Sequence, residues 1–377
     1  MTNGKKQISI EQLQPGMYVV GMDQSWLRTP FFSHRRLLKD AQDVETLRRC
    51  GVQWVTIDTE RGQDVASNGH GPSDGSAAHP ATNGSGPTEP STAAPSTQRP
   101  AQKPPIFDTV AEANGAFADE LLRAAEVRGD AIMSVQRIFA GVTTGVPMDM
   151  PGLRKVVTNV LDRVLGNHGA MVTQVLLQQL RRAGEDLFVH AVDTCVLAVV
   201  VGKEHGLDFA DLEHLGMGAL LHDVGQMRLP RNILEKRGVY TDDEHKLMQL
   251  HPQLGASILA TSPDLPAAVH RIALEHHERM DGTGYPGGLR GPAISPLSQI
   301  VSIVDRYDAM AGGRDGATRQ PPGHAVRQLY QAALKQQFDV ALVERLIQCL
   351  GVYPVGSLVE LSTGERGIVV AFNSEQR

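Results

Sequence analysis

The sequence predicts a mainly α-helical protein, with a small α/β domain at its start and a β-hairpin at its end. Three observations carry that prediction. Apolar residues recur at helical spacing through most of 106–350; in Pro151–Leu165 they are Leu153, Val156, Val157, Val160, Leu161 and Val164. Strand-like runs are confined to residues 1–61 and 351–377. Between the first unit and the helices lies a stretch, 62–105, made almost wholly of Gly, Ser, Ala, Thr, Pro, Asn and His.

Residues 1–61 form the α/β unit. Ile8 and Ile10 alternate with polar residues, Gln14-Pro15-Gly16 makes a turn, and Met17–Val20 reads as a strand. Lys39–Cys50 reads as a helix with Val44 and Leu47 on one face and Gly51 as its stop. Trp54–Asp58 closes the unit as a strand. Trp26, Phe31 and Phe32 are either its core or a docking surface, and burial is the commoner use of aromatics. No catalytic constellation appears here. Residues 62–105 cannot bury enough apolar surface to offset chain entropy, so a disordered linker is expected. His70 and His79 lie in it without partners at ligand spacing.

Residues 106–350 form the helical domain. Its predicted helices include Pro151–Leu165, Met171–Leu180, Leu187–His205 and Asp211–His222. Another opens at the capping box Thr241-Asp242-Asp243-Glu244. Val269–Glu278, Leu297–Met310, His324–Gln337 and Val340–Leu350 complete the set. In the extension 351–377, Ser357–Leu361 and Gly367–Phe372 flank Ser362–Arg366, the pattern of a β-hairpin.

The 377 residues are 41% hydrophobic, ample for a core, and carry a net charge of −6. That charge argues against binding to nucleic acid polymers or to anionic membranes. An anionic substrate would need local arginines or metal ions. Cys50, Cys195 and Cys349 show no CxxC spacing and read as buried free thiols in a reducing cytosol. Met1–Lys6 is followed by no signal-peptide core, and Cys195–Val201 is too short to cross a bilayer. A cytoplasmic protein without a membrane span is expected.

The chemistry lies in histidines and aspartates at the ends of separate apolar segments. His222-Asp223 closes Leu215–Leu221, and His276-His277 leads into a glycine-rich loop, Asp281–Pro286. A charged Asp after an apolar run is costly to bury unless paired. At a helix end its carboxylate can bridge two ions. Adjacent helical residues point about 100° apart, so His276 and His277 are expected to serve different ions or faces. His251 precedes Pro252, which biases it away from helical dihedrals and marks a break. His190, alone, would more often be a core histidine, and Asp305 alone a buried cap. Together His190, His222, Asp223, His251, His276, His277 and Asp305 are seven ligands, too many for one four-coordinate zinc and suited to two metals. Imidazole and carboxylate without thiolate fit iron or manganese, and zinc less clearly. Such a centre ordinarily cleaves phosphate esters by activating water.

These segments resemble the HD-GYP domain, a branch of the HD phosphohydrolase superfamily, over about Asp186–Gly351. His222-Asp223-Val224-Gly225 resembles the HD signature, and His276–Pro286 the HHE-x-x-DG-x-GYP signature. Leu250-His251-Pro252-x-x-Gly255 and Asp305-x-x-Asp308-Ala309-Met310 match intervening segments. The first unit, with Gly16–Val19 and Trp54–Asp58, resembles the uncharacterised N-terminal domain often fused to this family. The resemblance implies an HD-type helical bundle and hydrolysis of cyclic di-GMP to pGpG, often on to GMP. It implies that the seven residues above hold two divalent metals. Some members hold a third through a Glu just before the first His; here Glu185 and Asp186 stand nearby, and Asp186 either fills that place or opens a helix in solvent. Asp223 or Asp308 would orient water or relay a proton. In the loop, Gly282 and Gly284 permit positive φ and close backbone approach, Tyr285 would stack on a base or donate to phosphate, and Pro286 fixes the exit. Arg314 matches a family arginine that meets phosphate.

Two departures bear on activity. The HD signature is usually followed by Gly-Lys, where this chain has Gly225-Gln226, so Gln226 keeps a donor but loses the charge. A second family cation after Arg314 is missing, and Arg319 is the nearest substitute. Losing a charge-assisted contact costs about 1.5–3 kcal/mol, which slows a phosphodiesterase without removing its metals. The alternative is a catalytically weak module that binds cyclic di-GMP or a signalling protein; another cyclic dinucleotide is a weaker third reading. Partner signalling proteins and a homodimer are both compatible with the chain.

Overall fold

The computed structural model describes residues 4–23, 36–64, 106–144, 146, 148–181, 186–234, 236, 238–314, 319–361 and 364–370. Trp26, Phe31, Phe32, His70, His79, Glu185, most of 62–105 and part of the C-terminal turn lie outside the described residues. The chain divides into two compact units, Met1–Phe107 and Asp108–Arg377.

The first unit is a four-stranded sheet with one helix. Its elements are β1 (Lys5–Ser9), β2 (Tyr18–Met22), β3 (Arg36–Leu37), α1 (Ala41–Arg49) and β4 (Trp54–Asp58). The sheet order is β1-β4-β2-β3, and every pairing is antiparallel. Ile8, Val19, Val55 and Ile57 point to one face and are buried against Val44 and Leu47 of α1 and Met17. The α1 N-terminus is capped by Asp40, whose carboxylate accepts from the Asp43 amide.

The second unit is helical. Its long members are α2 (Ile106–Thr144), α3 (Met150–Arg181), α4 (Leu187–His205) and α5 (Phe209–Leu221). Then come α6 (Arg231–Leu234), α7 (Asp242–Met248), α8 (His251–Leu259), α9 (Ala267–Glu275), α10 (Pro296–Gly312), α11 (Pro322–Leu334) and α12 (Val340–Leu350). An antiparallel pair, β5 (Leu358–Glu360) with β6 (Arg366–Ile368), follows, with Leu358 opposite Ile368. The two segments predicted around Gly166 run together as α3, broken at Asn167 (φ −152°, ψ 84°), whose side chain caps the second stretch at Ala170.

Helix α4 is the axis. Every residue from His190 to Gly202 is buried, as befits a helix that is apolar on all sides. Helices α3, α5, α10 and α12 pack around it. Phe188 meets Phe139 of α2 edge-on at 5.7 Å. One charge interrupts the apolar run: Asp193, fully buried, takes both arms of Arg128 from α2 at 2.6 and 3.0 Å. Such a pair gains little over apolar packing but is costly to break on one side.

A second constraint is a backbone contact. The one-turn 3-10 segment Val224–Arg228 lies against the start of α8. A Cβ on Gly225 would sit 2.0 Å from the His251 carbonyl oxygen and 2.4 Å from the Gly255 amide nitrogen. The absence of a side chain at 225 is what lets Asp223 and His251 approach.

No helix among the described residues is long and apolar enough to cross a membrane. Cys195 and Cys349 are buried, but Cys50, expected to be buried, is partly exposed as the C-cap of α1, between exposed Arg49 and Gly51. Burial pushes the Cys195 thiol up to about 12, so it is inert.

Replacing Arg128 by Ala strands the Asp193 carboxylate in the core. The expected loss is about 3–5 kcal/mol of unfolding free energy, read as a shift of the urea midpoint at neutral pH.

Candidate metal centre

Five imidazoles and two carboxylates converge in the helical unit. His190 projects from the first turn of α4, and His222 and Asp223 follow the end of α5. His251 is the first residue of α8, helical despite the bias that Pro252 was expected to impose, because Pro is tolerated in a first turn; the break falls just before it. His276 ends α9 and His277 follows it; Asp305 lies in mid-α10. His190, His222, His251, His276, Asp223 and Asp305 are all under a tenth exposed, and His277 is partly exposed.

The donor atoms fall into two groups, Asp223 with His251, His276 and His277, and His190 with His222 and Asp305. Asp223 belongs to both in effect. Its Oδ1 is 3.2 Å from His251 Nε2 and 3.7 Å from His276 Nε2. Its Oδ2 is 3.5 Å from His222 Nε2 and 3.7 Å from His190 Nε2. Asp305 Oδ1 lies 3.2 Å from His190 Nε2. His276 and His277 do not part company as their sequence adjacency suggested. The helix stops at Glu275, just before them, and the turn brings both Nε2 atoms to 3.1 Å from His251 Nε2.

Hydrogen bonding fixes which ring nitrogens can ligate. His222 Nδ1 meets the Ala219 carbonyl at 2.8 Å, His251 Nδ1 the Met248 carbonyl at 2.7 Å, and His276 Nδ1 the Ala273 carbonyl at 2.9 Å. A carbonyl only accepts, so each Nδ1 carries the proton and each Nε2 presents a lone pair. His190 Nδ1 likewise donates to Asp308 Oδ2 at 2.6 Å. The lone pairs of His251 and His276 therefore face one another at 3.1 Å, while His190 Nε2 lies 3.2 Å from His222 Nε2. The first of these contacts is repulsive unless a cation lies among the nitrogens. The spacing is that of neighbouring ligands on one ion with metal–nitrogen bonds of about 2.1 Å. The donor set thus fits divalent metal.

Electrostatics separate the rings: without a cation, His190 keeps a second proton that His222 and His277 do not. Burial pushes the His222 imidazole down to about 4 and His277 well below its usual range, so both stay neutral. For His190, burial and Arg314 oppose the charged form, but the carboxylates of Asp305 and Asp308 outweigh them and raise it to about 9. Burial works to raise Asp223 and Asp305, yet the surrounding imidazoles hold both carboxyls well below the carboxylate range.

Two expected site residues act elsewhere. Asp186 is the N-cap of α4; its Oδ1 accepts from the Phe188 and Val189 amides at 3.0 and 3.1 Å, and it joins neither donor group. Asp308 is fully buried behind His190, with its other oxygen taken by the Gln179 amide at 2.6 Å. It cannot reach a reacting water. It orients His190 and raises that ring's basicity, as carboxylates behind metal-binding histidines do. Gln179, on α3, was not anticipated, and nothing in its local pattern marks it.

A cleft leads to the donors in two lobes. The inner lobe, about 320 Å³, is lined by Asp223, Asp305, Gln226 and Arg314 among others. The outer, about 560 Å³, is lined by Gly284, Thr283 and Phe338. Tyr285 and His277 border both. Buried Arg314 reaches Asp223 Oδ2 at 3.2 Å. Arg319, the expected substitute cation, borders neither lobe and donates to the Leu180 carbonyl at 3.0 Å. Tyr285 stacks on His277 at 4.7 Å, so one ring face is already covered. Pro286 borders neither lobe.

The loop has an anchor that sequence reasoning passed over. Buried Glu278 accepts from the Gly287 and Leu289 amides at 2.6 and 2.9 Å. A Cβ on Gly284 would lie within 2.5 Å of the Glu278–Arg279 backbone, so the loop folds back on the histidine turn only with glycine there. Its position inside the HHE run was the available signal.

Comparison with known proteins agrees with this geometry. The profile described as HD domain matches residues 170–342, and the domain of unknown function DUF3391 matches residues 5–151. A cyclic di-GMP phosphodiesterase of Pseudomonas aeruginosa is 31% identical over 366 residues, 97% of this chain and 81% of that protein. A cyclic di-GMP phosphodiesterase response regulator, RpfG, of Xanthomonas campestris is 36% identical over 153 residues, 40% of each chain. The solved structure of an HDGYP protein from Bdellovibrio bacteriovorus shares the fold, with a TM-score of 0.50 at 16% identity, covering 91% of this chain and 98% of that one. The chain belongs to the HD-GYP branch of the HD-domain family. Within that branch it carries the DUF3391 domain ahead of the helical one.

Asp308→Asn should weaken metal retention by about 10–100-fold while the fold persists. Metal analysis after dialysis against a graded chelator reads the effect, and unchanged retention would remove Asp308 from this role.

Proposed function

We propose that this chain is a metal-dependent phosphodiesterase that opens cyclic di-GMP to linear pGpG, with GMP as the product should the second bond also be cut, lowering signalling by that messenger. One observation carries the reading: the Asp223 carboxylate lies between two buried groups of imidazole and carboxylate donors, each converging as the ligands of one ion would. The relatives named as cyclic di-GMP phosphodiesterases support the substrate.

His251, His276, His277 and Asp223 would hold one ion, and His190, His222, Asp305 and the other Asp223 oxygen a second. Donors of oxygen and nitrogen without thiolate favour iron or manganese. Bound there, the ions supply Lewis acidity that acidifies water and offsets charge on phosphoryl oxygens. The chain's own residues do the rest. Asp223 ties the two sets at one fixed separation. Asp308, held by Gln179, keeps His190 aimed. Arg314 steadies Asp223 and offers guanidinium edge to a phosphoryl oxygen in the inner lobe. Gly284 and Tyr285 shape the wall along which the nucleotide enters, and Pro286 sets the exit of that loop. Gln226, 7% exposed in the inner lobe, gives an amide where a cation would bind phosphate more strongly.

That neutral amide motivates a second reading, a module that binds the dinucleotide without turnover. Anaerobically purified protein loaded with ferrous iron or manganese should release pGpG or GMP. Binding of cyclic di-GMP without linear product under either metal would favour the second reading. Gln226→Lys should raise turnover by roughly tenfold, the worth of a charge-assisted hydrogen bond; an unchanged rate would show that the missing charge is not limiting.

A further inference from the structure

The outer lobe of the cleft suits an anion, and of the seven converging donors His277 alone borders it. Among the described residues no carboxylate lines it, whereas Asp223 and Asp305 line the inner lobe. Its polar wall includes two arginines, Arg279 and Arg306, with the amides of Gln328 and Gln337.

The arginines differ in what they are free to do. Arg279 is already used: it donates to Ser302 Oγ at 2.6 Å and to the Glu278 carbonyl at 2.9 Å, and its guanidinium lies 4.7 Å from the centre of the Phe338 ring. Arg306 is exposed and, among the described residues, makes no hydrogen bond or ion pair. It follows Asp305 on α10. Adjacent helical side chains diverge by about 100°, so Arg306 leaves the metal-facing direction while staying beside it. It borders both lobes, together with Met310 one turn on.

A cyclic dinucleotide carries two phosphodiesters on opposite sides of one ring. When one is presented to Asp223 and Asp305 in the inner lobe, the other points outward. We propose that the outer lobe holds the half of the cyclic dinucleotide that is not being cut, with Arg306 pairing to its phosphate. This assignment rests on the phosphodiesterase reading above. A guanidinium fork matches phosphate oxygens in a way that ammonium does not, and the lobe's uncharged amides leave that pairing uncontested.

The test is steady-state hydrolysis of cyclic di-GMP by the metal-loaded full chain and its Arg306→Ala, Arg306→Lys and Arg306→Glu variants, with metal content and thermal midpoint measured on each. Arg306 is exposed, so the variants should fold and keep their metal. The expected result is a KM raised about tenfold or more in R306A, the worth of a lost charge-assisted hydrogen bond. The kcat should change by less than threefold, R306K should recover part of the loss, and R306E should be worse than R306A. A wild-type KM in R306A, or a loss confined to kcat, overturns the assignment while leaving the phosphodiesterase reading intact. If the wild-type chain neither binds nor cleaves cyclic di-GMP, both fall together.

Discussion

The burial of one carboxylate governs the helical unit. Asp223 lies 2% exposed at the end of an apolar helix, where an isolated charge would be untenable. It persists because imidazoles from α4, α5, α8 and α9 surround its two oxygens. The facing lone pairs of His251 and His276 in turn need something between them. Fold and function are thus coupled: the residues that would hold cations are the residues at which separate helices meet.

The supporting layer shows how that meeting is made precise. Gly225 lets one chain reversal press against the start of α8. Glu278 clamps the following loop through two amides. Gln179 and Asp308 brace His190 from behind. None of these groups lines either lobe of the cleft in a way that would let it touch a nucleotide's base or sugar, except through the wall they shape. The inner lobe of the cleft sets carboxylates beside arginines, whereas the described lining of the outer lobe has arginines and neutral groups only.

Much of this was legible from the chain alone. Helices such as Leu187–His205 and Val340–Leu350 were readable because apolar periodicity is a local property. The seven converging side chains were readable because their residue types stand within or at the ends of apolar runs, where a lone polar group is costly. What could not be read depends on distance in space. Gln179 and Asp308 are 129 positions apart, and only the packing of α3 beside α10 joins them. The partition of His276 and His277 hinged on where α9 stops, and an ideal helix was the wrong guide at its last residue. Asp186 showed a carboxylate just before a ligand helix, a pattern shared by metal ligands and helix caps; two backbone amides claim it.

Three of the five rings are tethered through Nδ1 to the carbonyl three residues back in their own chain. Each such ring and its preceding turn form a self-contained cassette, oriented by main chain rather than by whichever side chains happen to surround it. The hydrophobic filling between helices is therefore at liberty to be exchanged, one aliphatic for another, without re-aiming the donors. A protein so constructed can diversify through most of its interior while its chemistry stays put, because the aim of its ligands is written in peptide groups that no substitution deletes.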